Sequence, residues 1–319
     1  MLFEAYTALT RKFPAGCQGL YGERIQQNTD MWLAVDAQSF PWLLFAAQPS
    51  DARSDIELRF VEVRFSRDCE ISIDDGSAVA GTYTIVRLEE NDPELVRLFL
   101  RLLEEAFCGP SAPATNRAIG ERIMELANLF RQVEGSSKDI VGLWGELFVI
   151  AEAGSKENAA RRWCLHRNAK YDFVSEGFAL EIKATVKPVR EHRFALEQLR
   201  PLDELTVYVA SVQLVQAQGG KAVFELMDEI LAEIGGSDLR SAFLGLCLVK
   251  GGEDIYRSSL RFQLLSRETG AAFFAAVNVP VPETDANAPI SNVTFDVCLD
   301  AIPRLPEPDL ARLMRELSG

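Results

Sequence analysis

The chain has 319 residues, of which 48% are hydrophobic and 25% charged, enough apolar material to build packed cores without help from metals or disulfides. Its 33 Lys and Arg against 47 Asp and Glu give a net charge of −14, the wrong sign for a protein whose main task is coating nucleic acid. Six scattered cysteines (Cys17, Cys69, Cys108, Cys164, Cys247, Cys298) include no Cys-x-x-Cys pair, which argues against a structural zinc site or a disulfide framework; with only His166 and His192, a His-Glu-x-x-His centre is excluded.

The start Met1-Leu2-Phe3-Glu4-Ala5-Tyr6 lacks the basic residues and apolar run of a signal peptide. No apolar stretch approaches a membrane span, so a cytoplasmic protein without membrane contact is expected. Trp32–Val35 and Trp42–Phe45 read as short buried strands, and the alternation in Leu58–Phe65 and Glu70–Asp74 as two half-buried ones. Asp75-Gly76 is a turn, and Tyr83–Leu88 a further strand. Asn91-Asp92-Pro93-Glu94 opens a helix whose apolar face runs through Leu95, Leu98, Leu102 and Phe107. Cys108-Gly109-Pro110-Ser111-Ala112-Pro113 reads as a linker, which sets a strand-rich α+β domain over residues 1–112 before a second domain over 113–319.

In the second domain Asn116–Gln132 is an amphipathic helix with Ile119, Ile123, Leu126 and Phe130 on one face, broken at Gly135–Asp139. Ile140–Ile150 is apolar nearly all round, hence a buried helix, with Glu146 in its middle. Strands follow at Trp163-Cys164-Leu165, Tyr171–Val174 and Phe178–Lys183, the last two turning as a hairpin at Gly177. Phe194–Leu199 is a short helix ended by Pro201, Leu205–Leu214 a long strand, and Val223–Ile234 a helix closed by Gly235-Gly236. The remainder holds two or three strands and a helix from Pro308 to Leu317.

The chemistry concentrates around the hairpin. A strand puts residues i and i+2 on one face, so Glu181 and Lys183 point together while Leu180 and Ile182 enter an apolar layer. The hairpin partner brings Asp172 beside Glu181. Two adjacent carboxylates repel unless a cation neutralises them, and hard oxygen ligands in that number suit Mg²⁺. Glu146, buried on its helix, needs a partner too, either the metal or Lys183. The chemistry such a set performs is metal-assisted phosphodiester hydrolysis, with Lys183 holding the attacking water and stabilising charge on the phosphate. Residues 161–200 hold nine basic side chains against five acids, so the segment is net +4 and the rest of the chain −18. Asp172, Glu181 and Lys183 alone would fit a solvated surface hairpin. Against that reading, Glu181-Ile182-Lys183 is the only Glu-x-Lys in the chain, lies in an apolar strand, and follows the acid-bearing helix. Gly219-Gly220-Lys221 lacks the other residues of a P-loop. Trp144 and Trp163 read as core, and His166 as a surface or capping residue.

Gly145-Glu146, Tyr171-Asp172-Phe173, Glu181-Ile182-Lys183-Ala184-Thr185 and His192–Leu199 together resemble the PD-(D/E)XK nuclease superfamily. Over residues 139–215 they resemble the bacterial "PD-(D/E)XK motif protein" family associated with phage-defence gene clusters. The resemblance implies an α/β fold, a restriction-endonuclease-like core with a mixed central sheet flanked by helices. It implies Asp172, Glu181 and Lys183 as the motif residues, with Tyr171 in place of the motif's proline, and Glu146 as the acid of the first core helix. Gln198 is the polar residue offered by the short helix, ahead of His192 and Thr185. The implied metal set is Asp172, Glu181, Glu146 and Ile182, holding Mg²⁺ or its substitute Mn²⁺. Lys187, Arg190, His192 and Arg193 are the expected nucleic-acid contacts. The implied activity is a Mg²⁺-dependent DNA endonuclease, a subunit of a restriction or defence system with protein partners. The alternatives are a catalytically silent nucleic-acid-binding or assembly subunit, which the acidic total and separate N-terminal domain favour, and a hydrolase of smaller phosphate esters.

Overall fold

In the computed structural model, which describes residues 2–26, 29–48, 50, 54–57, 61–108, 116–133, 139–164, 170–175, 177–200, 205–252, 254–257, 259–283 and 292–319, the chain divides into two units, Met1–Ser136 and Ser137–Gly319. The first unit begins with a helix absent from the sequence reading, α1 (Leu2–Lys12), which buries Leu2, Tyr6 and Leu9 at i, i+4 and i+7. Strands β1 (Leu20–Gln26), β2 (Thr29–Val35), β3 (Pro41–Ala46), β4 (Ile56–Glu57), β5 (Val61–Ser72) and β6 (Ala78–Leu88) form one sheet in the order β1-β2-β3-β6-β5-β4. Leu20 and Tyr21 also pair in parallel with Ile71 and Ser72, closing the sheet on itself. Strand alternation then sorts the side chains into two cores. Trp32, Ala34, Leu44, Ile71, Tyr83 and Ile85 cluster on one side. Leu33, Val35, Leu43, Phe45 and Val86 pack on the other with α1 and α2 (Pro93–Phe107). Asp92 caps α2, its Oδ1 accepting the Leu95 N–H at 3.1 Å.

The two runs expected at 58–65 and 70–74 are one strand where described. β5 continues through a bulge at Ser66 (φ 51°), where the pairing with β6 skips register between Arg64 and Arg67; residues 58–60 lie outside the described residues. The domain boundary also moves. Helix α3 (Asn116–Val133) buries Ile123 in the first unit's core, with Ile119 and Leu126 packed against it, so the division falls at Ser136 rather than after residue 112. Most of the expected linker and the break before Asp139 lie outside the described residues.

The second unit opens with α4 (Ile140–Glu152), capped by Asp139, whose Oδ1 accepts the Gly142 N–H at 2.7 Å. Trp163 and Cys164, expected in a strand, instead end helix α5 (Lys156–Cys164). The Ala-Ala-Arg-Arg stretch before them favours a helix, and this outweighs the aromatic signal. Strands β7 (Phe173–Val174) and β8 (Phe178–Thr185) form the expected hairpin, shorter by two residues at its start. Strand β9 (Glu191–Ala195) takes Phe194 and Ala195 from the stretch expected as a helix, and the other four residues form α6 (Leu196–Leu199). Then come β10 (Thr206–Lys221), α7 (Val223–Leu231), α8 (Ser237–Gly251), α9 (Asp254–Arg257), β11 (Phe262–Leu264), β12 (Ala271–Ala275), β13 (Thr294–Cys298) and α10 (Glu307–Ser318). The sheet runs β11-β10-β8-β7, with β12 also on β10 and β9 paired separately with β13. β8 and β10 are parallel while the hairpin and the β11 and β12 pairings are antiparallel, so the sheet is mixed. Among the described residues no helix is long and apolar enough to cross a membrane.

Candidate active site

Register sets the first contact. Phe173 faces Leu180 across the β7–β8 hairpin, so Asp172, one step earlier, comes level with Glu181. It is fixed there by the backbone: Asp172 Oδ2 accepts the Ile182 N–H at 2.8 Å. Helix α4 reaches β8 because Gly145 has no side chain; a Cβ at that position would lie 2.8 Å from the Ala184 Cβ. Glu146, the next residue, is thereby carried to the same edge of the sheet.

Glu181 is 5% exposed and its Oε1 accepts from Lys183 Nζ at 2.7 Å and from Gln198 Nε2 at 2.8 Å. Gln198 is itself held, its Oε1 accepting the Ala195 N–H at 3.1 Å. Lys183 Nζ lies 5.3 Å from the centre of the Phe194 ring, so part of its surroundings is apolar. Among the described residues Glu181 Oε2 has no hydrogen bond, which leaves one carboxylate oxygen available to a ligand.

Glu146 is 7% exposed and makes three close polar contacts. Trp163 Nε1 donates to its Oε2 at 2.6 Å, and Lys250 Nζ lies 2.7 Å from Oε1 and 2.6 Å from Oε2. The same ammonium is 3.1 Å from Asp172 Oδ1. Lys250 was not read from the sequence. It stands in the last turn of α8, a helix so uniformly buried that no stripe of 3.6-residue period marks it. The one signal was a lone lysine ending the apolar run Phe243–Val249, the mirror of the lone acid within Ile140–Ile150.

The electrostatics show what the site lacks. Burial, reinforced by the Asp172 charge, raises the Glu146 carboxyl to about 8 despite Lys250 and Trp163. Burial and Asp172 likewise raise Glu181 to about 7 against the pull of Lys183. Burial alone would lower the Lys250 ammonium, but Glu146 and Asp172 together raise it above its ordinary value, so it stays charged. The cluster is thus short of positive charge. Its donors towards a ligand are carboxylate oxygens, hard ligands that fit Mg²⁺ or Mn²⁺. Among the described residues no three His, Cys, Asp or Glu side chains group closely enough to cage a metal.

The four residues expected to meet nucleic acid are not brought together at the surface. Arg190 is 2% exposed and donates to Ser211 O (2.7 Å), Ser211 Oγ (2.9 Å) and the carbonyls of Thr269 and Gly270. His192 is buried with its Nε2 2.7 Å from Ser211 Oγ. The imidazole and the hydroxyl share one hydrogen bond there. Burial, with Lys183 and Arg190 nearby, lowers the imidazole to about 4. These two are interior struts holding β9 and its loop to β10, a correction of their expected role. Lys187 and Arg193 are exposed but paired with Glu191 (2.9 Å) and Asp296 (3.0 Å). Thr185 accepts the Lys187 N–H at 3.1 Å and so shapes the loop after β8. Trp163 is a buried donor to Glu146, consistent with its reading as core. His166 lies outside the described residues.

Residues 3–300 match the family model described as "Putative PD-(D/E)XK family member, (DUF4420)". No curated protein and no solved structure matches the chain. The family's match spans both units and takes in Glu146, Asp172, Glu181 and Lys183. The chain belongs to this family, within the PD-(D/E)XK superfamily.

Proposed function

We propose that this chain is a Mg²⁺-dependent endonuclease that hydrolyses DNA phosphodiester bonds, with Glu146, Asp172, Glu181 and Lys183 as its working residues. The observation that carries this reading is the convergence of the three acids and Lys183 on one end of the β7–β8 hairpin, in a cluster short of positive charge. Asp172 and Glu181, with the Ile182 carbonyl, would hold the cation. When bound it supplies charge neutralisation at the scissile phosphate and acidification of water. Lys183 orients the attacking water and takes up charge developing on a phosphate oxygen, its ammonium already aimed at the site by Glu181. Gln198 keeps the Glu181 carboxylate in one orientation while its second oxygen faces the ligand. The resemblance of the 139–215 core supplies the defence context, in which the first unit would serve partner proteins.

One observation favours a second reading, a silent binding or assembly subunit. Every carboxylate of the cluster already has a partner within the protein, Lys250 bridging two of them. Supercoiled plasmid incubated with Mg²⁺, Mn²⁺ or EDTA separates the two. Metal-dependent nicking by the wild type that is lost in Lys183→Ala is the expected result. No nicking by either protein, with no metal taken up, would replace the endonuclease reading with the second one.

A further inference from the structure

Lys250 enters the site from a helix that carries none of the motif residues, and it enters where a cation belongs. Its ammonium contacts both oxygens of Glu146 (2.7 and 2.6 Å) and Asp172 Oδ1 (3.1 Å), the bridging position between two carboxylates. The helix end is anchored. A Cβ on the neighbouring Gly251 would sit 2.7 Å from Leu143 of α4 and from Ile255, so the last turn of α8 is in close contact with the helix that bears Glu146. The Lys250 ammonium also lies 5.8 Å from the Trp163 ring centre, whose N–H shares Glu146 Oε2.

Charge balance makes the arrangement meaningful. Glu146, Asp172 and Glu181 against Lys183 and Lys250 leave the cluster one negative charge when all are ionised. A single divalent cation turns that to one positive, which a single phosphodiester cancels. A second divalent cation would leave an uncompensated excess in a buried site, which is costly. The oxygens not claimed by Lys250 lie on the Glu181 side, where Oε2 is available among the described residues.

We propose that Lys250 is a built-in substitute for a second metal ion. The site takes one divalent cation, on the Asp172–Glu181 side, and the ammonium of Lys250 holds the Glu146–Asp172 side against another. The inference deepens the metal-dependent reading above and rests on it. Lys250 is a positioning residue, and acts by fixing Glu146 and Asp172.

The test is Mn²⁺ titration of the full chain, followed by calorimetry and by electron paramagnetic resonance. The wild type is expected to take up one Mn²⁺ per chain. Lys250→Met is expected to take up two, with the broadened spectrum of neighbouring ions. Lys250→Gln, which keeps a polar head and is the reserve should the methionine variant not fold, carries the same expectation. Adding Glu146→Gln to either variant should return the count to one. Two ions in the wild type, or one in a folded Lys250 variant, would overturn the proposal. Absence of uptake in every protein would overturn it together with the metal reading. One ion in the wild type and two in the variant, without plasmid nicking by the wild type, would sink the endonuclease and leave this inference standing.

Discussion

Gln198 and Trp163 each hold one acid of the cluster, and their loss should be felt differently. Gln198→Ala removes the amide from Glu181 and leaves that carboxylate to Lys183 alone. Supporting residues around a metal site typically matter by about 10- to 100-fold, and a drop of that order in nicking rate and in Mn²⁺ affinity is expected. Unchanged affinity in a Mn²⁺ titration would show that Gln198 does not orient Glu181. Trp163→Phe keeps an aromatic ring, though a smaller one, and deprives Glu146 Oε2 of a buried donor. Leaving a buried acceptor short of a partner costs about 1–3 kcal/mol, a shift readable in urea unfolding. His192 supplies a pH signature of its own. Its folded value, about 4, lies below the unfolded 6.5, so the stability it confers is complete above pH 6.5 and is lost as pH falls toward 4. The loss is on the order of 3 kcal/mol. His192→Gln should flatten that part of the stability profile, and an unaltered slope between pH 6.5 and 4 would assign it to other groups.

At the level of elements, the site exists because α4 lies close against β8, and Gly145 is the residue that allows it. Gly145→Ala places a methyl 2.8 Å from the Ala184 Cβ, so helix or strand must shift. Overpacking of this kind costs about 1–3 kcal/mol, and it should move Glu146 relative to Asp172. Reduced thermal stability with weakened Mn²⁺ binding is expected; a variant as stable as wild type would mean the helix relaxes without strain. The same elements explain what the sequence could disclose. The β7–β8 hairpin was legible because the Asp172 and Glu-x-Lys spacing coincides with a turn at Gly177, and strand period alone then sets which side chains face together. Glu146 was legible as a charge stranded in an apolar helix. Lys250 was not, because α8 is buried on nearly every side and nothing in its sequence ties it to a hairpin some 70 residues earlier in the chain. Arg190 and His192 show the reverse error. They look like a basic surface beside the motif, and only three-dimensional packing shows their polar heads turned onto Ser211.

For the molecule as a whole, the basic character of residues 161–200 is largely consumed by the fold. Arg161 pairs with Glu157, Lys187 with Glu191 and Arg193 with Asp296, while Arg190 and Arg200 spend their donors on backbone carbonyls. In a chain of net charge −14, that leaves few cations to release counterions from a duplex. Any binding of DNA by the protein alone should therefore depend only weakly on salt, with a slope matching about two or three phosphate contacts. The two units carry their own cores, with Leu33, Val86, Phe99 and Ile123 in one and Phe194, Val209, Phe274 and Leu299 in the other. Residues 137–319 expressed alone should accordingly unfold in one cooperative transition and retain the metal uptake of the full chain, because every side chain of the site lies within that unit. A fragment that folds but binds no Mn²⁺ would make the first unit a participant in the site. A fragment with no cooperative transition would mean that its core, although complete in composition, needs the first 136 residues to form.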